Sequence, residues 1–509
     1  MQNTTDLYQE YVTRMKRIAD VRNASAVLQW DQETYLPSQG ATLRGQQIST
    51  LAELSHQLFS DDALGELLQT LLTQQDLSPG EKRNVERTFE DYTKNKKYSP
   101  QLVRALSDAV NKAFHSWLEA RKQNSFLVFE KDLDALVQLK KEEASVLGYV
   151  HHPYDALLDE YEKGSTVALL DKAFGHLLPQ LKTLYEKILS APQVDDSFIK
   201  QHFPEQAQWD WGMQLLREMH FDFTAGRQDR SEHPFSISFG ARDVRITTRI
   251  DEADFGNMTW SCIHEAGHAL YEQGLPVEQY GLPLGEACSY SIHESQSRLW
   301  ENNVGRSRGF WQHFYPELQK QFPQQLQSIS LDWFYKGINK VQPSLIRTEA
   351  DEISYHFHVY IRYELEKRLL EGTLKTADIP QYWNEQYATL LDVTVPDDKL
   401  GTLQDVHWSH GSFGYFPTYS LGSLYAAQFY AQAQKDLPGL EKQIASGNTL
   451  PLLQWLRKNI HQTGRYFTSE TLCTEVTGEG LNTDYFMQYA HKKYATVYSW
   501  AESGNKIAG

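Results

Sequence analysis

A chain of 509 residues, 40% hydrophobic and 23% charged, has the composition of a soluble globular protein and is long enough for a large core. Its formal charge is 49 − 66 = −17 with histidine neutral, a balance that repels nucleic acid and anionic membrane, so neither is expected as a partner. The start M-Q-N-T-T-D-L-Y-Q-E has no basic flank before an apolar run, and no stretch reaches the ~18 apolar residues of a membrane span. Cys262, Cys288 and Cys473 are too few for a disulfide framework, so a cytoplasmic protein is expected. Cys262 and Cys288 flank interesting segments but read best as small buried apolar residues.

From Leu7 to about Leu147 the pattern is that of long amphipathic helices. Tyr11, Met15, Ile18 and Val21 keep helical spacing, as do Leu51, Leu54 and Leu58, and then Leu102, Leu106, Val110, Phe114 and Leu118. Ser78-Pro79-Gly80-Glu81 predicts a helix start with Ser as N-cap, Pro at the first position and Glu three residues after the cap; Ser99-Pro100 predicts another. More helices are expected between His151 and Ala225, most clearly Ala168 to Leu189. The period then changes. Phe235, Ile237 and Phe239 alternate, Gly240 to Asp243 reads as a turn, and Val244 and Ile246 alternate again, predicting a β-hairpin or small sheet over 235–250. Asp243, Arg245 and Thr247 share one face of its second strand, where they would hold a substrate, brace a neighbouring helix, or face solvent.

The next stretch, T-W-S-C-I-H-E-A-G-H-A-L-Y-E-Q-G over 259–274, contains His264, Glu265 and His268 as H-E-x-x-H. On a helix, residues four apart share a face, so both imidazoles can reach one ion while Glu265 stands beside it as a base for the attacking water. Gly267, unfavourable by ~1 kcal/mol against Ala in a helix, predicts close approach of another segment. Gly274 is read as the C-cap. A catalytic zinc takes three protein ligands, and the second helical stretch, Gly285 to Asn302, offers Glu294, with Arg298 one turn on to hold its carboxylate. Glu286, His293 and Glu301 are its rivals, and helical spacing does not choose among them.

A helix over Ile346–Leu370 would align Arg347 with Asp351, an i,i+4 pair. Arg347 is the leading candidate to bind a carboxylate bidentately, with Arg245 the alternative. Gly401 to Tyr419, dense in Gly, His and Tyr, reads as a loop or broken helix lining a cleft. There His407, Tyr415 and Tyr419 are candidate donors to a developing oxyanion, and His410 a weaker one. Helices resume from Leu421 to about Lys493, and Gly504 to Gly509 is expected to fray. The expected architecture is mainly α: one large helical domain over 1–509, with two lobes around a deep groove as its natural form, and a small β element next to the H-E-x-x-H helix.

H-E-A-G-H at 264–268 and H-E-S-Q-S-R at 293–298 resemble the M32 metallocarboxypeptidases of the carboxypeptidase Taq type. His233-Pro234-Phe235, D-x-R-x-T at Asp243, Arg245 and Thr247, I-R-x-x-A-D at Ile346 to Asp351, and G-x-x-Q-D-x-H-W at Gly401 to Trp408 follow the same family order. The resemblance implies a zinc enzyme, with cobalt as an alternative metal and one ion per chain. Its expected action is release of single C-terminal residues from peptides with broad specificity and poor cleavage next to Pro, as a homodimer. It favours His264, His268 and Glu294 as ligands and Glu265 as the base. It brings His233, Asp243, Arg245, Thr247, Arg347, His407, Tyr415 and Tyr419 to substrate binding. An endopeptidase or dipeptidyl carboxypeptidase on the same scaffold is the nearer rival, and a silent peptide-binding module the farther one.

Overall fold

The computed structural model of the chain describes residues 3–500, so the expectation for Gly504–Gly509 lies outside the described residues. Among the described residues are 21 α-helices and one three-stranded sheet, and no helix is long and apolar enough to cross a membrane. The mainly α expectation is met. Two compact units emerge, each built from three separate parts of the chain.

The first unit comprises Met1–Lys96, Ser197–Phe334 and Phe429–Gly480. Its opening helix, Thr4–Thr34, buries Tyr11, Met15 and Ile18 against Leu64, Leu67, Leu68, Leu71 and Val85, as the spacing predicts. Ser78 caps the helix Pro79–Asn95 through a complete capping box with Glu81. The helix Ala41–Phe59 is different: none of its residues is buried, and Leu54 stands 42% exposed. The strands are β1 (Gly226–Arg230), β2 (Ser236–Ser238) and β3 (Val244–Thr248), in the order β1-β3-β2. β2 and β3 form the expected antiparallel pair, with Ser236 opposite Ile246, while β1 runs parallel to β3. β1 was not anticipated: Gly226-Arg227-Gln228-Asp229-Arg230 contains no apolar residue, so it carries no alternation to read. Its buried polar side chains find individual partners instead, Asp229 in Arg227 and Tyr35, and Gln228 Oε1 in the Cys262 thiol. Cys262, Cys288 and Cys473 are all buried and none is in a disulfide, in keeping with a packing role.

The second unit comprises Lys97–Asp196, Tyr335–Gln428 and Leu481–Gly509. Helices Pro100–Gln123, capped by Ser99, and Leu127–Leu147 pack on each other, and Val167–Ser190 matches the helix expected over 168–189. The helix Tyr355–Glu371 is buried on nearly every side and carries Arg362 and Glu366 into the interior. Here the sequence expectation is corrected. No continuous helix runs from Ile346: a 3-10 turn at Arg347–Glu349 precedes a break, and the helix begins at Tyr355. Asp351 makes the break, because its carboxylate accepts the backbone N–H groups of Ile353, Ser354 and Gln342 and so competes with helical bonding.

Candidate metal centre and active site

The H-E-x-x-H segment lies on the helix Phe255–Glu272, started by the Asp254 carboxylate, which accepts the Gly256 N–H. Met258, Cys262, Ile263, Ala266, Ala269 and Leu270 bury its apolar side. Gly267 meets the neighbouring helix Tyr290–Arg298 directly: a Cβ there would stand 2.5 Å from Ser297 Cα and 2.7 Å from the Gln296 carbonyl. Hydrogen alone fits, as the sequence suggested, and this backbone contact brings Glu294 alongside the two histidines. Gly274 is corrected from a C-cap to a second close approach. Gln273 occupies the cap in right-handed conformation, and the space beside Gly274 is filled by the His461 imidazole.

His264 Nε2 lies 3.6 Å and His268 Nε2 3.4 Å from Glu294 Oε2. Ligands bonded to a tetrahedral zinc at ~2.0–2.2 Å stand roughly 3.3–3.6 Å apart, so the three atoms fit such an ion. Among the described residues this is the one cluster of at least three His, Cys, Asp or Glu side chains so placed. Arg298 Nε donates to Glu294 Oε1 at 2.7 Å, as its position suggested. Burial opposes the Glu294 charge, but Arg298 and His264 hold its carboxyl well below the usual range; burial presses the His268 imidazole down to about 3. Both groups are thereby in ligand form, deprotonated.

The rivals of Glu294 have other tasks. Glu286 pairs with Arg22 and Arg465. His293 stands behind His268, and Glu301 behind His264, where its Oε2 lies 2.9 Å from Nδ1. Glu301 is on a π-helical turn, Leu299–Gly305, that directly continues the Glu294 helix. Such turns recur at functional sites because the wider coil re-aims a side chain. Glu301 also receives Arg298 and Arg306, and despite burial its carboxyl is held down to about 2.

Glu265 is buried, which raises its pKa, with His264 opposing. Its Oε2 accepts the Ser236 hydroxyl at 2.5 Å. Nothing in the sequence singled out this serine; its place directly after His-Pro-Phe was the available signal. The segment around it is braced. Thr247 Oγ1 accepts the Phe235 N–H and lies 2.7 Å from Ser231 Oγ, which in turn donates to the His233 carbonyl. The His233 side chain is exposed. Arg245 makes a fork on Asp243 at 3.0 and 2.9 Å and lies over the rings of Trp30 and Phe239 at 4.3 and 4.9 Å. Asp243, Arg245 and Thr247 thus make contacts that would brace this segment.

The remaining candidates belong to the second unit. Arg347 is 5% exposed, and its guanidinium meets Asp405 Oδ1 through Nε and Nη2, at 3.0 and 2.8 Å, and Tyr355 Oη through Nη1. The expected Arg347–Asp351 pair is replaced by this one, because the broken helix turns the two side chains apart. Arg362, fully buried, takes Asp405 Oδ2 at 2.6 Å. Gln404 Oε1 accepts both the Arg347 N–H and Arg362 Nη2. His407 Nε2 lies 3.1 Å from Tyr419 Oη, and the His407, Tyr415 and Tyr419 rings pack together; His410 packs instead on Phe114. Burial, then Arg347, lowers His407 to about 3, so it is a neutral donor or acceptor.

Two imidazoles one turn apart, a carboxylate from the following helix and a buried glutamate between them define a metal-dependent hydrolase of the H-E-x-x-H class. Comparison with known proteins narrows this. The carboxypeptidase Taq (M32) metallopeptidase family matches residues 10–494. Thermostable carboxypeptidase 1 of Thermus thermophilus is 41% identical over 96% of this chain and 99% of its own, and carboxypeptidase 1 of Bacillus subtilis 38% identical over 96% and 98%. The crystal structure of an M32 carboxypeptidase from Deinococcus radiodurans superposes with a TM-score of 0.95 at 37% identity, covering 97% of this chain and 100% of that one. The chain belongs to the carboxypeptidase Taq (M32) family and is a metallocarboxypeptidase, a hydrolase that uses a divalent metal.

Proposed function

We propose that the protein releases single residues from the C-termini of peptides with broad specificity, using one Zn²⁺ per chain, with Co²⁺ as a competent substitute. The observation that carries this reading is the 3.4–3.6 Å separation of the two Nε2 atoms from Glu294 Oε2. His264, His268 and Glu294 would hold the ion. When bound, it supplies Lewis-acid polarisation of a carbonyl and acidification of water. Glu265 takes the proton of the attacking water and passes it to the leaving amine; its raised pKa, due to burial, suits a group that must both accept and give a proton. Ser236 holds that carboxylate in one orientation. Asp243, Arg245, Thr247 and His233 serve the site by fixing the segment that bears Ser236.

Arg347 would receive the free α-carboxylate of the substrate. Although Asp405 occupies one edge of its guanidinium, two arginines share that single carboxylate, so the trio carries one net positive charge. A buried positive excess favours an anion. Tyr419, Tyr415 and His407 would donate to the substrate beside it. The whole chain would act as one catalytic domain, since the family match spans parts of both units. A cytoplasmic homodimer completes the reading, supported by three cysteines with no disulfide among them and by the family resemblance.

The deciding experiment is mass spectrometry of an unblocked peptide incubated with zinc-loaded protein, beside the same peptide amidated at its C-terminus. A ladder losing one residue at a time from the free acid alone is expected. Internal fragments from both peptides would replace this reading with an endopeptidase.

A further inference from the structure

The two candidate ligand imidazoles are backed differently. His264 Nδ1 faces a carboxylate oxygen of Glu301 at 2.9 Å; a carboxylate accepts, so Nδ1 carries a proton, and in the neutral, metal-binding form of the ring Nε2 is left bare toward Glu294. His268 Nδ1 faces another imidazole, His293 Nδ1, at 2.5 Å, a contact in which one nitrogen must donate and the other accept. Alone, this pair does not say which. The answer comes one step further out, where His293 Nε2 lies 2.8 Å from Glu272 Oε1. The carboxylate accepts, so His293 keeps its proton on Nε2 and presents a bare Nδ1. His268 must then donate from Nδ1, and its Nε2, 3.4 Å from Glu294 Oε2, is bare.

We infer that His293 and Glu272 are positioning residues that fix His268 in its ligating tautomer and orientation, so that the metal centre is tuned by a neutral imidazole behind one ligand and an anion behind the other. Local sequence favours the arrangement. Glu272 is four residues after His268 on the same helix, and His293 immediately precedes Glu294, so each link is tied to a ligand by the chain itself. The Tyr271 ring, 5.3 Å from that of His293, closes one side of the relay. Neither residue touches the reacting atoms, and the inference rests on the metal-centre reading above. Outer partners of this kind govern roughly 10–100-fold in metal affinity.

The test is the zinc dissociation constant of the full chain, measured by competition with a chelator of known affinity, alongside the thermal midpoint of the metal-free protein. His293→Ala should weaken zinc binding about 10–100-fold with the metal-free midpoint unchanged. His293→Asn should recover most of the loss, because its Oδ1 stands where the His293 Nδ1 stood and can accept from His268 Nδ1. Glu272→Ala should weaken binding by less than His293→Ala, since it releases the outer link only, and it carries the test if His293→Ala does not fold. Wild-type affinity in His293→Ala, or no recovery in His293→Asn, would overturn the inference. If the wild-type chain takes up no zinc, the metal-centre reading itself fails; equal binding by wild type and His293→Ala sinks only the relay.

Discussion

The hydroxyl of Ser236 stands 2.5 Å from Glu265 Oε2 and 3.3 Å from the Glu265 carbonyl, so one short strand meets both the side chain and the backbone of the proposed general base. A hydrogen bond to a charged group contributes roughly 1.5–3 kcal/mol. Ser236→Ala should therefore lower kcat about 10–100-fold while zinc content stays at the wild-type level. Steady-state kinetics with metal analysis on the same sample checks this; an unchanged kcat would remove Ser236 from the argument.

Glu265→Gln keeps the shape and the Ser236 contact but cannot take a proton. Loss of a general base lowers rates by about 10²–10⁴. The variant should bind zinc as wild type and fall in kcat by that order, and retained turnover would mean that another group accepts the proton.

Much of this centre is written in short-range sequence. The four-residue spacing of His264 and His268 needs only a helix, and Gly267 is intelligible as a place where only hydrogen fits, which Ser297 and Gln296 bear out. What the sequence concealed depends on partners far along the chain. Arg347 meets Asp405, 58 residues on, and not Asp351, because Asp351 spends its carboxylate on backbone donors and interrupts the helix that the i,i+4 spacing assumed. Ser236 is an ordinary residue until β2 pairs with β3 and turns it toward Glu265, 29 residues away. Glu301 needs a π-helical turn, which no 3.6-residue count anticipates.

Gly267→Ala should act at a distance from the chemistry. The added methyl would meet backbone atoms of the Glu294 helix, which cannot rotate aside. Overpacking of this kind is destabilising by typically 1–3 kcal/mol, and here the strain would be relieved by parting the two helices that carry the proposed ligands. We expect a lower thermal midpoint and, beyond that, weaker zinc binding than in a variant equally destabilised elsewhere. Normal zinc affinity would show that the helices need not be in contact.

Arg347→Ala and Asp405→Ala separate recognition from stability. The first leaves Asp405 paired with Arg362 and should raise KM for unblocked peptides by about 10–100-fold, the worth of a charge-assisted bond. The second strands two buried guanidiniums, which is destabilising by about 3–5 kcal/mol, and should appear first as a loss of folded protein. If Arg347→Ala leaves KM unchanged, the α-carboxylate is bound elsewhere.

Glu366 ties the segment that carries His407 and Tyr415, and that leads into the helix Pro417–Asp436 bearing Tyr419, to the buried helix. Its Oε1 accepts the Trp408 indole N–H at 2.9 Å, and its Oε2 accepts the Gly414 N–H at 2.8 Å and the Tyr154 hydroxyl. Burial outweighs these bonds and raises its pKa from 4.5 to about 7. Between those values the folded chain keeps a proton that the unfolded chain has released. The stability contributed is thus full below about pH 4.5 and is lost as pH rises through 7. At 1.36 kcal/mol per pKa unit the change is roughly 2–3 kcal/mol between pH 5 and 8. Glu366→Gln stays neutral throughout, so whatever its hydrogen bonds cost, its stability relative to wild type should move in its favour by that amount on going from pH 5 to pH 8. Denaturant midpoints of the two proteins at both pH values measure the difference, and a gap that does not change with pH would show that Glu366 is ionised in the folded chain across this range.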